Sequence, residues 1–442
     1  MPCDLRTKKW FIIGALVGNI MEFFDFIIYA YLSKYIAINF FPHNNQFISK
    51  LLIFSVFASG YLTRPIGAVI FGYIGDKFGR KTALVQSILI ITTATTCIGL
   101  LPSYNSIKLL APILLIVCRL VQGFEVSGEQ SGVAVYLSEN VGINKNGFIG
   151  SLVLGSSYFG VLLGSLACFV VSFCLPEQSM NSFGWRIPFL LSIILGFLSL
   201  VLRVNGEESL EFKVAKNHNK LSEHPVYDTF SNQWKETILM ILLVMSLAVP
   251  IYMYTIYLPN YLVDAIGMDL KKSLFLSTIS LCFISGLVPV VGKISDQFGN
   301  EKTLLVGLIA SLIIGYPIFV LLSCGQPLCV IMGQCCFGVV VSFIAAPMLG
   351  VLLKVFPVHR RYTGVSFVFN TSMAIFGSTV PVISIALIEF SGNKVFPGVY
   401  LSLSSMVGIV ILYITYYKNH KLQYLKSQPL LEGVKQICKQ QQ

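Results

Sequence analysis

Six ionisable side chains interrupt long apolar runs in the first third of the chain: Glu22, Asp25, Arg64, Arg119, Glu125 and Glu129. A charge at the centre of a bilayer costs roughly 2.5 to 3.5 kcal/mol on insertion scales, so each such group needs a partner, water or a task. Gly18, Glu22, Asp25 and Tyr29 recur at i, i+4, i+7 and i+11, which places them on one stripe of an α-helix. Two carboxylates on that stripe beside one guanidinium, Arg119, leave an acid without a full partner, and such an acid can take up and release a proton. The five histidines, His43, His218, His224, His359 and His420, all fall in loops or the tail, outside the apolar runs, so carboxylates are left to carry a proton there. Asp25 and Glu22 are the expected proton groups, with Asp25 slightly preferred. A buried guanidinium is a planar fork matched to a carboxylate, which makes Arg119 the expected contact for an anionic or zwitterionic solute.

The runs that hold these groups dominate the chain. Its 442 residues are 55% hydrophobic and only 12% charged, about half the charged share of a soluble domain. The mean hydropathy is +0.77. Runs of about 20 apolar residues can cross a bilayer as helices, and twelve are predicted: 10–33, 50–73, 82–102, 109–134, 147–172, 187–203, 236–260, 272–293, 303–323, 326–352, 363–389 and 395–417. The first is followed directly by eleven more and is read as a retained span rather than a cleaved leader. With both termini inside, and Arg64 and Arg119 set aside as intramembrane, 22 Lys and Arg residues fall on the cytoplasmic side and 7 on the other. The net charge of +11 is thereby read as a topology signal, without a nucleic-acid partner. The eleven cysteines show no metal-ligand spacing and read as small buried hydrophobes, so neither a metal nor a cofactor is expected.

The longest polar interval, 204–235, divides the chain into an N-terminal six-helix half (1–203) and a C-terminal six-helix half (236–417), with a cytoplasmic tail at 418–442. A repeat supports the division. Gly72, Asp76, Phe78 and Gly79 between the second and third spans recur as Gly292, Asp296, Phe298 and Gly299 between the eighth and ninth. A very short turn suits Gly79 and Gly299, and an acid near a helix end can be held by neighbouring helix dipoles and by Arg80. Arg64 and Glu129 are expected near this end, forming an inner gate with Asp76, Arg80 and Asp296. Glu125 lies on another face from Arg119 and is expected to point at a neighbouring span.

These motifs carry a resemblance. Gly72 to Lys81 is similar to the loop motif of the major facilitator superfamily, and Arg119 with Gln122-Gly123 to its fourth-helix motif. Gly18-Asn19 through Glu22, Asp25 and Tyr29, Arg64-Pro65-Ile66-Gly67, Gln122 through Glu129, and Gly184-Trp185-Arg186-Ile187-Pro188-Phe189 resemble the metabolite:proton symporter branch. Phe23 stands where that branch usually has Trp, Glu125 where it has a small residue, and Asn300 where the repeated loop would have Arg.

The resemblance implies an all-α, twelve-helix inner-membrane fold with two pseudo-symmetric halves and both termini cytoplasmic. It further implies import of a proline- or betaine-like zwitterion, or an organic acid, by proton symport through alternating access. The expected substrate contacts are Arg119, Gln122, Asn19, Tyr29, Tyr257 and Asn370, and a monomer is expected. The rivals are a facilitator or exchanger without proton coupling, and a membrane sensor that no longer transports. An enzyme is disfavoured, because the spans hold no nucleophile motif, metal pattern or cofactor loop.

Overall fold

Inside a bilayer every backbone N–H and C=O must pair within its own segment, so apolar runs of this length fold as helices. The structure, a computed structural model, describes residues 5–41, 56, 59–141, 145–204, 206–217, 226–227, 231 and 233–416. The expected tail at 418–442 and much of the linker lie outside these residues. In chain order the spans are α1 (Leu5–Tyr31), α2 (Arg64–Lys77), α3 (Arg80–Leu100), α4 (Leu110–Val141), α5 (Asn146–Cys174) and α6 (Arg186–Val204). They continue as α7 (Trp234–Asp264), α8 (Leu270–Phe298), α9 (Asn300–Ser323), α10 (Pro327–Val355), α11 (Val358–Ser391) and α12 (Pro397–Tyr416). Eleven of them are long and apolar enough to cross a membrane; α2 completes the twelve.

Two boundaries differ from the sequence expectation and change what the bundle contains. Helix α4 runs seven residues past 134, which puts Glu139 on a packed helix. Helix α6 ends at Val204, and Arg203, the last residue of the expected span, is fully buried rather than solvated at the helix end. An apolar count stops where polar residues gather, whereas these packed helices carry buried Glu139 and Arg203 at or beyond that point.

The two repeated loops fold alike. Gly79 and Gly299 have φ of 112° and 98°, a region L side chains avoid, and each starts the next helix one residue later. The loops bring α2 and α8 to the same end of the bundle, called here the linker end. There α2 packs on α11, and α8 on α5, across the two halves. Within the first half, α2 and α4 approach so closely that a Cβ at Gly67 would lie 2.0 Å from the Phe124 carbonyl oxygen.

Gly67→Ala should lower the unfolding temperature of the purified protein, at a cost of about 1 to 3 kcal/mol, because a backbone carbonyl cannot move aside. Gly286→Ala, where a Cβ meets nothing within 4 Å, should leave it nearly unchanged. Equal thermal shifts in the two variants would contradict this packing.

Candidate functional site

The repeated acids do the same thing twice. Asp76, at the end of α2, accepts the amide N–H groups of Tyr362 (3.2 Å) and Thr363 (2.9 Å) in the first turn of α11. Asp296, at the end of α8, accepts those of Gly147 (2.8 Å) and Phe148 (3.0 Å) in the first turn of α5. A helix N-terminus leaves these donors unused and carries partial positive charge, so each carboxylate docks on the opposite half.

The first copy is the more heavily built. Arg80 holds Asp76 at 3.2 Å, places its fork on Glu139 with two bonds of 3.0 Å, and donates to the Val358 carbonyl at 2.7 Å. Arg361 reaches Glu139 at 3.5 Å and the linker residue Glu211 at 2.7 Å. Glu208 caps the start of α3 by accepting from the Arg80 and Lys81 amides. In the second copy Asn300, standing where the first has Arg80, accepts a 2.6 Å bond from Ser295.

Deeper in the first half lies a group of acids. Glu129 is paired with Arg203, whose remaining donors go to the carbonyls of Gly14, Ala15 and Leu84, and it accepts from Ser87 at 2.6 Å. Gly18 makes room for that guanidinium, since a Cβ there would meet it at 1.8 Å. Glu22, Asp25 and Glu125 are buried, and their carboxyl oxygens meet no donor at hydrogen-bonding geometry among the described residues. Glu125 lies within electrostatic range of Glu22, Asp25, Glu129 and Arg203. Asp25 faces the Thr95 hydroxyl, which accepts from Gln122 at 2.7 Å, and Gln122 in turn accepts from Arg119 at 2.8 Å. No group of three or more His, Cys, Asp or Glu among the described residues is placed to hold a metal ion.

Between the halves lies a cavity of about 70 Å³, with room for several waters. Phe23, Phe26, Arg64, Gln130, Ser157 and Tyr158 line it from the first half, and Tyr252, Thr255, Phe369 and Met373 from the second. Arg64 donates to the Tyr252 hydroxyl at 3.3 Å and lies 4.6 Å from the Tyr61 ring centroid and 5.2 Å from that of Phe26. It is only 6% exposed and has no carboxylate at ion-pair distance among the described residues. Glu22 is the acid within range of its charge.

The placement differs from the sequence expectation in several respects. Arg64 is not at the inner gate with Glu129: it sits twelve residues, roughly 18 Å of helix, before Asp76. Glu129 takes Arg203 as its partner instead. Asp76 and Arg80 are paired, while Asp296 makes its own separate contact with the start of α5 at the same end of the bundle.

None of the six expected substrate contacts lines the cavity. Arg119 lies 4.2 Å over the Tyr29 ring centroid. The Asn19 amide donates to α5 at the Val153 carbonyl and the Ser156 and Ser157 hydroxyls. Asn370 bridges the halves by donating to the Ser127 carbonyl at 2.9 Å. Tyr257 packs 5.7 Å from Tyr261, and a π turn over Met253–Tyr257 interrupts α7 there. Tyr252, just before that turn, faces the cavity. The sequence held signals for two unforeseen groups: Arg203 is flanked by Leu202 and Val204, and Glu139 lies within one turn of an apolar run.

From residue 11 to residue 381 the chain matches the family model described as Major Facilitator Superfamily. It is 35% identical over 416 residues to a protein of Staphylococcus aureus (strain COL) named "Putative proline/betaine transporter", covering 92% of this chain and 88% of that one. It is 31% identical over 403 residues to the citrate-proton symporter of Klebsiella pneumoniae, covering 90% of each. Over 416 residues it is 32% identical to the glycine betaine/proline/ectoine/pipecolic acid transporter OusA of Dickeya dadantii (strain 3937), covering 92% of this chain and 83% of that one. Among solved structures, the proton:xylose symporter XylE bound to 6-bromo-6-deoxy-D-glucose superposes with a TM-score of 0.76 at 15% identity, over 92% of this chain and 95% of that one.

Hydrogen bonds to charged groups contribute about 1.5 to 3 kcal/mol, so Asp76→Asn should raise the open-to-closed ratio at the linker end roughly ten- to a hundredfold. Distances between spin labels at Lys81 and Lys354 would report it as a longer-distance population. An unchanged distribution in both Asp76→Asn and Asp296→Asn would remove the clasp role.

Proposed function

The chain belongs to the Major Facilitator Superfamily, and from that premise we propose that it imports a small carboxylate-bearing solute, a zwitterion such as proline or betaine or an organic acid, together with protons. The observation that carries this reading is Arg64: a buried guanidinium with no carboxylate partner among the described residues, lining a cavity between the two halves. A substrate carboxylate can take its fork bidentately, displacing the long contact to Tyr252. Phe26, Tyr158 and Tyr252 offer ring faces to an alkylammonium, at roughly 0.5 to 2 kcal/mol each. The names of the relatives, which include proline/betaine and citrate carriers, agree with a carboxylate as the shared feature.

The coupling follows from Glu22, the acid within range of Arg64. Ionised, Glu22 competes with the substrate carboxylate for the same cation. Protonated, it leaves Arg64 free, so proton and substrate favour each other's binding by the same factor. Asp25 is read as a second member of this proton site, joined to Arg119 through Thr95 and Gln122.

The linker end is read as the cytoplasmic end. On that reading the Asp76 and Asp296 clasps close the inner side while the cavity loads from outside, and their release lets the halves 1–203 and 236–417 rock about the 204–235 linker. The cell inner membrane is the proposed location, with both termini cytoplasmic, and the working unit is one chain, because the cavity is built within it.

In proteoliposomes with an alkaline interior, labelled proline, betaine or citrate should accumulate. Arg64→Gln should reduce uptake by about tenfold or more, since one buried carboxylate–guanidinium contact is removed. Arg119→Gln should retain more uptake than Arg64→Gln. Uptake that follows concentration alone, without response to the pH gradient, would mark a facilitator. Equal uptake by wild type and Arg64→Gln would remove Arg64 from the substrate site.

A further inference from the structure

We propose that Glu125 carries a second transported proton, exchanged with Glu22, so that two protons accompany each substrate. This rests on the proton-coupled reading above. Glu125 is fully buried on α4, and neither carboxyl oxygen meets a donor among the described residues. The charged groups facing it are Glu22 and Asp25 from α1, Glu129 one turn along α4, and Arg203 from α6. Three of these four are acids. The cation among them is already occupied, because Arg203 puts its fork on both oxygens of Glu129 and its other bonds on the carbonyls of Gly14, Ala15 and Leu84.

An ionised Glu125 would be a buried carboxylate without a counter-ion and among like charges, the arrangement that burial penalises most. The neutral acid removes that penalty. A separate orphan bears on Glu22, the other acid of the pair: Asn19 Oδ1, one turn before it on the same face of α1, is buried without a donor among the described residues. An acid in its O–H form supplies a donor, and a carboxylate does not.

The route begins at the cavity, where Arg64, Gln130 and Ser157 are polar lining groups and Arg64 is in range of Glu22. A proton arriving there forms an O–H bond on Glu22. That bond breaks as one forms on Glu125, and the next proton reloads Glu22. Both leave as protons when the linker end opens, so no other co-reactant is needed. Neighbouring acids of this kind load as a pair, not singly.

Infrared spectroscopy of the protein in lipid at neutral pH reads the carboxylic C=O band without needing a substrate. Glu125→Gln should remove part of that band, and Glu125→Asp, which keeps the acid, should restore it. With voltage clamped and a tenfold proton gradient, wild type should accumulate labelled proline about a hundredfold and Glu125→Gln about tenfold. An unchanged band in Glu125→Gln, or equal accumulation by the two proteins, overturns the second proton and leaves single-proton symport standing. Failure of wild type to accumulate proline or citrate under the gradient instead overturns the proton-coupled reading, and the infrared band still decides whether Glu125 holds a proton.

Discussion

Unpaired charge is costly in an apolar bundle, and that constraint arranges much of the rest of this protein. Each buried charge is met in one of three ways. Some are paired, as Glu129 with Arg203 and Arg80 with Asp76 and Glu139. Some dock on the free amides of a helix start, as Asp76 and Asp296 do. The remainder, Arg64 and the acids Glu22, Asp25 and Glu125, have no such settlement among the described residues. A transporter needs groups of this last kind, because a group already satisfied has nothing to offer a substrate or a proton.

The docking acids give the constraint a mechanical side. One carboxylate on two amides is strong enough to hold two halves together and local enough to be released as a unit. The two copies are unequal, and the difference lies in single residues. Arg80 draws Glu139, Asp76 and the Val358 carbonyl into one network, and Phe212 of the linker stacks 4.9 Å over its guanidinium. Asn300 cannot reach so far, and the second clasp stands on Asp296 with far less around it. The linker, through Glu208 and Glu211, therefore bears mainly on the first clasp.

The fold was largely legible in the sequence, since long apolar runs have one solution in a bilayer and the repeated glycines marked the turns. The paired acids at 76 and 296 were legible for the same reason: a repeat fixes equivalent places. Side-chain partners were less so. Arg64 and Glu129 share a depth argument only if helix ends are known, and Arg203 is the last residue of its expected span, a position that does not by itself show that it is buried. Tyr257 was the expected tyrosine on α7, but a π turn at Met253–Tyr257 interrupts that helix and Tyr252 is the one that lines the cavity. Arg119, the expected substrate contact, has its fork turned toward Gln122 and the Tyr29 ring and does not line the cavity.

The central claim is that substrate and proton cross together because Glu22 and the substrate carboxylate compete for Arg64. Adding proline, betaine or citrate outside voltage-clamped proteoliposomes, with no imposed pH gradient, tests it most directly through the pH of the weakly buffered medium. The account predicts that the medium turns alkaline as a transported solute enters, and that Glu22→Gln weakens this response. Solute entry with no change in external pH would contradict it.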